Sequence, residues 1–417
     1  MAGSGRSIAV VGAGIVGVSS AVWLARDGHR VTLVDRLEPG EGTSYGNAGV
    51  LASASIVPVT VPGLWKKAPG MLLDPMAPLF LRWSYLPRLL PWLARYMRHC
   101  KPAEVERIAA AQMPLVGDSL EQHQALSRGT PAERWIVPCD YFFVFADRAV
   151  YAGEPFGWGI RRRHGFELVE LEGAALAEYE PELGPANRFG VRIPGHGRIS
   201  DPGRYVKDLA AHAETLGAKV MRAEVTGFVR DGERVTGLAT GDGPIACDDV
   251  VIATGAWSKP LAASLGLDVP LESERGYHIE LLEPSFMPRN PTSVTAGKFV
   301  ITPMEGRVRL AGIVEFGGLD APPSEAPYRL LLERARAAFP GLTWRGERRW
   351  MGHRPSTADS LPLVGPLARH PNVHLAFGHQ HLGLTAGPKT GRIVADLIAG
   401  RRPNFDLAPY RPERFGG

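Results

Sequence analysis

The glycine-rich segment near the N-terminus constrains the fold more than any other feature of the sequence. Gly12 to Gly17 directly follows Ser7 to Val11, a short apolar run of the kind that forms a buried parallel strand. Helical spacing of apolar residues continues to Asp27-Gly28, and a second apolar run, Arg30 to Val34, ends in Asp35. The pattern predicts a strand, a glycine turn, a helix and a second strand.

This unit is typical of dinucleotide binding. Gly12 permits the tight turn, Gly14 lets a pyrophosphate approach the backbone, and Gly17 lets the helix pack closely on the strand. The anion then rests on the first helical turn, at Ile15–Val16. Asp35, 18 residues after Gly17, is placed to accept a hydrogen bond from a ribose hydroxyl, and its charge disfavours NADP. The motif alone does not separate FAD from NAD, and an ordinary glycine turn is the alternative.

The rest of the chain alternates between strand-like and helical patterns. A further buried strand is predicted at Asp249 to Ala253, directly before Thr254-Gly255-Ala256-Trp257. Helical spacing is found at 204–216, 328–339 and 387–398, and strand-like alternation at 218–238 and 271–316. No internal repeat or long linker interrupts the pattern, so we expect domains that are interleaved along the chain.

Composition and charge exclude several classes of protein. With 45% hydrophobic and 22% charged residues, the 417-residue chain has the composition of a globular protein and not of a disordered or fibrous one. No apolar run reaches the roughly 18 residues that a membrane-spanning helix needs. No secretory signal is recognisable at the N-terminus, so we expect a cytoplasmic protein. The net charge of +4, with one basic cluster at 82–101, indicates no nucleic-acid partner.

The three cysteines give no sign of a metal or redox site. Cys100, Cys139 and Cys247 are far apart in the sequence and form no pair at metal-binding or redox spacing. The sequence therefore predicts no disulfide framework, no iron–sulfur cluster and no metal.

Four separated motifs resemble those of one flavoprotein family. They are 42–49 (Gly-Thr-Ser-Tyr-Gly-Asn-Ala-Gly), Val225 with its strand together with 253–258 (Ala-Thr-Gly-Ala-Trp-Ser), 352–365, and 378–385 (Gly-His-Gln-His-Leu-Gly-Leu-Thr). In this order they resemble the D-amino acid oxidase and glycine oxidase family, and within it most nearly the bacterial D-amino acid dehydrogenase branch. The resemblance extends over nearly the whole chain.

The resemblance implies FAD as the cofactor. It places Thr43 and Ser44 near the pyrophosphate, 47–49 beside the flavin ring, Val225 at the adenine and 383–385 at the pyrimidine edge of the flavin. Backbone N–H groups of a glycine loop ahead of a helix would stabilise the negative charge of a reduced flavin there. The residues expected to bind FAD are Gly12, Gly14, Ile15, Val16, Gly17, Asp35, Arg36, Thr43, Ser44, Asn47, Ala48, Gly49, Val225, Ala253, Thr254, Gly255, Gly383, Leu384 and Thr385.

Attachment of the cofactor is expected to be non-covalent. Family members with covalent flavin attach it through a cysteine or histidine near these motifs, whereas the cysteines of this chain lie elsewhere.

The expected fold is α/β, with a Rossmann-like FAD-binding domain of the glutathione-reductase type interleaved with an antiparallel-sheet substrate domain. We assign 1–55, 200–262 and 345–417 to the FAD-binding domain, and 56–199 and 263–344 to the substrate domain.

Arg354 is the candidate for binding the substrate carboxylate. The segment 351–357 resembles the family segment in which an arginine does so. Arginine suits this task because its planar fork pairs bidentately with a carboxylate and stays charged. Fixing the carboxylate lets the Cα–H point at flavin N5. A surface arginine is the alternative.

Two further side chains are candidates for the active site. Tyr277, in a segment that resembles the one carrying the family's active-site aromatics, could close the site and hydrogen-bond the substrate carboxylate; a packed core tyrosine is the alternative. His379 invites an acid–base role, although an amine that enters neutral can lose hydride directly, so shaping of the pocket is the other interpretation.

The residues between 56 and 101 form an insert rich in tryptophan, leucine and arginine, including Trp83, Trp92, Arg82, Arg95 and Arg98. Such interleaving is typical of segments that lie at a membrane interface. The comparable segment is typical of the dehydrogenase branch, whose members pass electrons to the respiratory chain, so a peripheral contact with the inner membrane is one expectation. An internal cap on the substrate domain is the other.

The expected reaction is oxidation of a D-amino acid, or of a cyclic imino acid such as a hydroxy-D-proline. Hydride passes from the α-carbon to flavin N5, the imine is hydrolysed, and electrons go to a quinone or another electron-transfer partner. The alternatives are a peroxide-forming oxidase of the same fold, the flavoprotein subunit of a multi-subunit opine or proline dehydrogenase, and a protein that only binds FAD or modifies nucleic acid.

Overall fold

Two large sheets organise the computed structural model, which describes residues 5–63 and 79–416. A six-stranded sheet has the strand order β18-β19-β12-β1-β2-β8, and a ten-stranded sheet has the order β17-β13-β16-β15-β14-β5-β7-β3, with β4 beside β16 and β6 beside β7. The strands are β1 (Ser7–Val11), β2 (Arg30–Asp35), β3 (Val50–Leu51), β4 (Leu79–Leu81), β5 (Ile136–Phe145), β6 (Val169–Glu172), β7 (Phe189–Ile199), β8 (Lys219–Arg222), β9 (Val225–Asp231), β10 (Arg234–Thr240), β11 (Ile245–Ala246), β12 (Asp249–Ile252), β13 (Leu271–Leu282), β14 (Thr292–Val294), β15 (Phe299–Met304), β16 (Arg307–Phe316), β17 (Gly346–Thr357), β18 (Leu363–Pro366) and β19 (Val373–Phe377).

Helices cover both sheets. They are α1 (Ile15–Arg26), α2 (Leu86–Arg98), α3 (Pro102–Val116), α4 (Ser119–Ser127), α5 (Arg148–Ala152), α6 (Pro155–Arg163), α7 (Gly173–Tyr179), α8 (Pro202–Thr215), α9 (Ser258–Ser264), α10 (Glu325–Ala338) and α11 (Gly383–Ile398). Within the described ranges, no helix is both long and apolar enough to cross a membrane.

The six-stranded sheet is parallel from β8 to β19, and β18 is antiparallel at its edge. β1 lies in the middle, between β2 and β12, and its residues Ile8, Ala9 and Val10 have no exposed surface. A strand in this position has a continuous run of apolar residues because helices cover both faces of the sheet.

Helices α1 and α11 pack closely on one face of this sheet. A methyl group added at Gly391 of α11 would lie 2.6 Å from backbone atoms of Ser19 and Ser20 in α1, and one added at Gly387 would lie 2.8 Å from Ile15. Glycine at both positions therefore allows the two helix backbones to approach each other. This contact sets the N-terminal ends of α1 and α11 beside the same edge of the sheet.

The ten-stranded sheet is mainly antiparallel, with parallel pairing of β14 with β5 and of β4 with β16. Within this sheet, β13 pairs antiparallel with β16 on one side and with β17 on the other. One face of β13, carrying Tyr277 and Ile279, packs in an apolar core with Tyr328 and Leu331 of α10. The other face, carrying Glu274, Gly276 and His278, is directed toward the nucleotide-binding half of the molecule, since His278 reaches the carbonyl of Gly46.

The segment 79–98 packs on that same sheet. Leu89, Trp92 and Tyr96 of α2 are buried against Phe316 of β16, and the Trp92 Nε1 donates to the carbonyl of Ser356 at 3.1 Å. These side chains therefore form an internal cap, as one of the two interpretations expects. Trp83 and Leu90 remain 58% and 51% exposed. Residues 64–78 of the expected interfacial segment 56–101 lie outside the described residues.

The sequence predicts β1, β2, β12, α8 and α11 to within a few residues, but it predicts no strand at β18 or β19 of the six-stranded sheet. Its strands all fall within the ranges assigned to the FAD-binding domain. β17 departs from that division, because it lies in the range 345–417 and yet pairs with β13 in the ten-stranded sheet. The division into domains therefore stays a prediction.

Candidate active site

A cleft of about 1520 Å³, partly open to solvent, lies at the carboxyl ends of β1, β2 and β12. This edge is where open parallel sheets bind ligands. Among the residues expected to bind FAD, those that line it are Gly12, Gly14, Ile15, Val16, Asp35, Arg36, Thr43, Ser44, Asn47, Val225, Ala253, Thr254, Gly255, Gly383 and Leu384. The structure thus gathers residues from six distant parts of the chain around one space.

The turn between β1 and α1 requires glycine for reasons visible in the backbone. Gly12 has φ +105°, and a Cβ there would lie 2.5 Å from the carbonyl oxygen of Ala253. A Cβ at Gly17 would lie 1.8 Å from the carbonyl oxygen of Gly12. Gly17 is therefore placed behind the wall of the cleft, where it lets α1 approach β1.

The first turn of α1 is built to receive an anion. Gly14 is the N-cap residue, in an extended conformation, and it has no side chain to cap the helix. The hydroxyl of Ser44 accepts a hydrogen bond from the Ile15 N–H at 2.9 Å. The following N–H groups of the turn have no intrahelical acceptor, because none lies one turn earlier. Free N–H groups and the helix dipole together favour a pyrophosphate at this position.

Asp35 fixes the shape of the turn. Its carboxylate accepts hydrogen bonds from the Ala13 N–H at 2.7 Å and from the Leu37 N–H at 2.9 Å. The neighbouring Arg36 lies over the Trp257 ring, 4.7 Å from its centroid. Binding of a ribose hydroxyl by Asp35 remains a prediction, and these two hydrogen bonds show what holds the carboxylate in place.

The segment 45–49 is held by a buried ion-pair cluster. The Arg309 Nη1 donates to the carbonyls of Tyr45, at 2.9 Å, and of Asn47, at 2.5 Å. The Arg309 Nη2 donates to Glu280 at 2.6 Å, and neither side chain of this pair is exposed. Burial raises the pKa of Glu280, yet the adjacent arginines bring it down to about 2, so the carboxylate stays ionised. The cluster therefore fixes the backbone that is expected to face the flavin ring.

Three of the residues expected at FAD support this loop and do not line the cleft. Gly49 has φ +77°, and its N–H donates to the Asn47 side chain at 2.8 Å. The hydroxyl of Thr385 accepts from the Ala52 N–H at 3.2 Å. Ala48 packs against an apolar cluster of the larger sheet.

The N-terminal end of α11 reaches the cleft at Gly383 and Leu384. Its N-cap residue, Leu382, has no side chain that caps the helix. The helix is 16 residues long, so its N-terminus carries the partial positive charge of a full dipole. The family resemblance places the pyrimidine edge of the flavin here, and this electrostatic environment suits a negative charge.

Arg354 lies on β17, on the face of the large sheet that is directed toward the cleft. A Cβ at Gly276 of the adjacent strand would lie 2.6 Å from the guanidinium carbon, so the absence of a side chain there makes room for it. The guanidinium donates to the carbonyl of Gly312 at 3.1 Å. In the described part of the chain, Arg354 forms no ion pair. A partly exposed and unpaired guanidinium in the interior is suited to bind a carboxylate.

Tyr277 is placed differently from the expectation that it closes the site. Its hydroxyl donates to Glu315 at 2.5 Å and accepts from the Ser324 N–H at 3.0 Å. The ring packs edge-on against Tyr328 of α10. Because side chains alternate along a strand, Gly276 faces Arg354 and Tyr277 faces the opposite core. Its position is that of the packed core tyrosine, the alternative in the sequence analysis.

His379 lines the cleft, and its Nε2 lies 3.0 Å from the Thr390 hydroxyl. Burial lowers the pKa of His379 to about 4. Burial and the charge of Arg354 lower the pKa of His381 to about 4 as well. Both imidazoles are therefore neutral near pH 7, which suits a role in shaping the pocket.

Sequence reasoning missed several residues on this face of the sheet. They are Glu274, His278, Glu280, Arg309 and Trp350. His278 and Trp350 stack with ring centroids 5.0 Å apart, directly beside Gly46. Their spacing from Gly276, Gly352 and Arg354 by even numbers of residues was the available signal. Residues two apart on a strand share a face, so this spacing places them on the face that carries Arg354.

The chemistry of the cleft fits FAD. The N-cap residue of α1 is a glycine with no capping side chain, and glycines stand where the backbone comes close to the cleft. The lining extends from Val225 to Gly383. These features suit a dinucleotide with a pyrophosphate at its centre. None of the three free cysteines is among the residues that line it.

Comparison with known proteins agrees with this geometry. The family model described as FAD dependent oxidoreductase (DAO) matches residues 7–397. The chain is 41% identical to a protein named D-amino-acid oxidase from Bradyrhizobium diazoefficiens over 99% of both chains. It is 31% identical to a D-amino acid dehydrogenase of the same organism over 98% of both.

Among solved structures, glycine oxidase from Geobacillus kaustophilus superposes with a TM-score of 0.76 at 25% identity, and the match covers 99% of this chain and 100% of that one. The resemblance found in the sequence is thus confirmed, together with the α/β fold and the cofactor that it implies. The chain belongs to the DAO family of FAD-dependent oxidoreductases.

Proposed function

We propose that this enzyme oxidises D-amino acids and that Arg354 binds the substrate carboxylate. The observation that carries the proposal is the unpaired guanidinium of Arg354, set over Gly276 on the sheet face that meets the cofactor cleft. The names of the two Bradyrhizobium relatives support a D-amino acid as the donor. A cyclic imino acid such as a hydroxy-D-proline carries the same carboxylate and is a second candidate.

In this mechanism the protein chiefly binds and orients. A bidentate pair between Arg354 and the carboxylate fixes the adjacent α-carbon, and such positioning lowers the barrier substantially. FAD, when bound, would supply the acceptor for the hydride that leaves the α-carbon, and that hydride carries both electrons. The neutral His379 and His381 would let the amine enter without a competing positive charge. The resulting imine takes up water and yields a 2-oxo acid and ammonia.

For the cofactor, we assign the pyrophosphate to the first turn of α1 with Ser44 and Thr43, the ribose to Asp35, and the adenine to Val225. The flavin would lie between the 47–49 loop and the start of α11. The free N–H groups of α1 and the uncapped end of α11 support these assignments.

The electron acceptor is the next element of the proposal. We assign a quinone or another electron carrier, as the sequence analysis expects. Oxygen is the second candidate because the relative with 41% identity is named an oxidase. An assay that measures both hydrogen peroxide and the reduction of an artificial dye distinguishes these acceptors, since only transfer to oxygen forms peroxide.

We further propose a cytoplasmic enzyme that makes peripheral contact with an anionic membrane surface through the outer face of α2. Exposed Trp83 and Leu90 and the exposed Arg95 and Arg98 support it. An apolar side chain entering the headgroup region beside cations is the usual form of such contacts.

Replacement of Arg354 tests substrate binding. Arg354→Ala should raise KM and lower kcat/KM by roughly 100-fold or more, because both affinity and alignment depend on the fork. The kcat/KM of Arg354→Lys should fall between those of the wild type and Arg354→Ala, since lysine keeps the charge and loses the bidentate geometry. Steady-state kinetics with a D-amino acid and an artificial acceptor measures both effects.

A matched control is available on the same strand. Arg349 lies on the opposite face, where it pairs with Glu325 at 2.8 Å, so Arg349→Ala should leave kcat/KM nearly unchanged. If Arg354→Ala also left kcat/KM unchanged, Arg354 would not be part of the site.

Denaturation tests how the cofactor is attached. Purified protein should be yellow, and boiling or acid should release free FAD into the supernatant, because Cys100, Cys139 and Cys247 are not among the residues lining the cleft. Absorbance spectra of supernatant and pellet decide this. Yellow colour retained in the precipitated polypeptide would contradict non-covalent binding.

Vesicle binding tests the membrane contact. The double change Arg95→Glu and Arg98→Glu should lower the partition coefficient onto anionic vesicles at least about 10-fold, given about 1 kcal/mol per arginine near such a surface. Sedimentation with vesicles of anionic or neutral lipid measures it. The same charge change at the exposed Arg128 and Arg402 is the control. Equal binding of both variants and the wild type would support a purely internal cap.

A further inference from the structure

A buried carboxylate lies beside Arg354 without a cation of its own. Glu274 of β13 is paired in register with Arg354 of β17 and is only 7% exposed. The Arg354 fork is turned away from it, over Gly276 and toward the carbonyl of Gly312. Across residues 5–63 and 79–416, no basic side chain forms an ion pair with Glu274.

Two of the other buried glutamates of this sheet are held by arginines. Glu280 pairs with Arg307 and Arg309 at 2.6 Å, and Glu315 pairs with Arg275 at 2.8 Å. Glu272 and Glu274 have only neutral hydroxyl partners, Tyr85 for Glu272 at 2.9 Å and Ser356 for Glu274. A buried carboxylate without a cation is costly. Of these two, Glu274 is the one paired in register with Arg354, so a cation on a ligand held by Arg354 could satisfy it.

The position of Glu274 relative to Arg354 suits one kind of ligand. Glu274 and Gly276 are two residues apart on one face of β13, which is about 7 Å along the strand, and the Arg354 guanidinium lies over Gly276. A three- or four-carbon side chain separates its terminal cation from the α-carboxylate by a comparable span. The α-ammonium is much closer to its own carboxylate than this.

The surroundings of Glu274 also favour a ligand with an apolar stem. Phe316 is its register partner on β16. Burial and, next to it, the charge of Glu274 raise the pKa of Tyr96 on α2, which places the Tyr96 hydroxyl near the carboxylate. Trp92 stacks on Tyr96 with ring centroids 4.6 Å apart. Aromatic rings pack well on methylene groups and on guanidinium planes.

We propose that Glu274 selects D-amino acids with a cationic side chain, accepting hydrogen bonds from a guanidinium or ammonium group while Arg354 holds the carboxylate. This inference rests on the proposed function and names the substrate class of the same site. Glu274 is thereby a specificity-determining residue.

The titration of Glu274 is consistent with this role. Burial raises the pKa of its carboxyl group, and the charge of Glu272 adds to that rise. The charge of Arg354 and a hydrogen bond from the Ser356 hydroxyl oppose the rise without cancelling it. A second cation placed on the carboxylate would favour the ionised form. Preference for a cationic substrate should therefore weaken as pH falls through this raised pKa.

D-Arginine and D-citrulline test the proposal, because they have nearly the same shape and differ in charge. The wild-type enzyme should have a kcat/KM for D-arginine at least about 10-fold higher. Glu274→Gln should lower kcat/KM for D-arginine about 10- to 100-fold and leave that for D-citrulline within about twofold. Glu272→Gln, two residues earlier on the same face, should keep the wild-type preference. FAD content and thermal unfolding monitor the folding of each variant.

Two results would overturn the inference. One is equal use of D-arginine and D-citrulline by the wild type, which decides the matter even if Glu274→Gln does not fold. The other is an equal loss for both substrates in Glu274→Gln, which would place the carboxylate at the shared α-amino group. In either case turnover of D-citrulline or D-leucine leaves the proposed function intact, whereas failure of every D-amino acid to reduce the flavin refutes the proposed function itself.

Discussion

A guanidinium in a protein interior needs an anion or several hydrogen bonds to offset the loss of its hydration. Arg354 has one hydrogen bond, to the carbonyl of Gly312, and its only charged neighbour on the strand pair, Glu274, forms no ion pair with it. The binding of a carboxylate is the simplest way to complete this environment. In the proposed function, this one uncompensated charge binds the substrate carboxylate and thereby orients the α-carbon.

The rest of the structure keeps this charge next to the cofactor cleft. Glycines at 12 and 17 bring α1 onto β1, and glycines at 387 and 391 bring α11 onto α1, so that two helix N-termini converge on the cleft. Across the cleft, the Glu280–Arg309 pair ties the 45–47 carbonyls to the sheet that carries Arg354. The 45–49 loop and the sheet face that carries Arg354 are thus joined by a buried ion pair and do not depend on a flexible linker.

The sequence predicts the β1–α1–β2 unit and β12 well because their signals are local: an apolar run, a glycine turn and an acidic residue at the end of the next strand. It does not predict β5, β7, β17, β18 and β19, or the helices between 86 and 163, since their burial depends on partners far along the chain. The same limit applies within the site. Gly276 and Tyr277 are neighbours in sequence, yet the pleat sends one position toward Arg354 and the other into the core. From sequence alone, a glutamate such as Glu274 is expected at the surface, and only the strand register shows that it lies beside Arg354.

The proposed function requires the D-enantiomer to be the electron donor to FAD at this site. Anaerobic mixing of the FAD-loaded protein with matched D- and L-amino acids, while the visible absorbance of the flavin is recorded, tests this directly. The account predicts that D-enantiomers bleach the flavin and that their L-counterparts do not. Bleaching by L-enantiomers alone, or by no amino acid of either series, would contradict it.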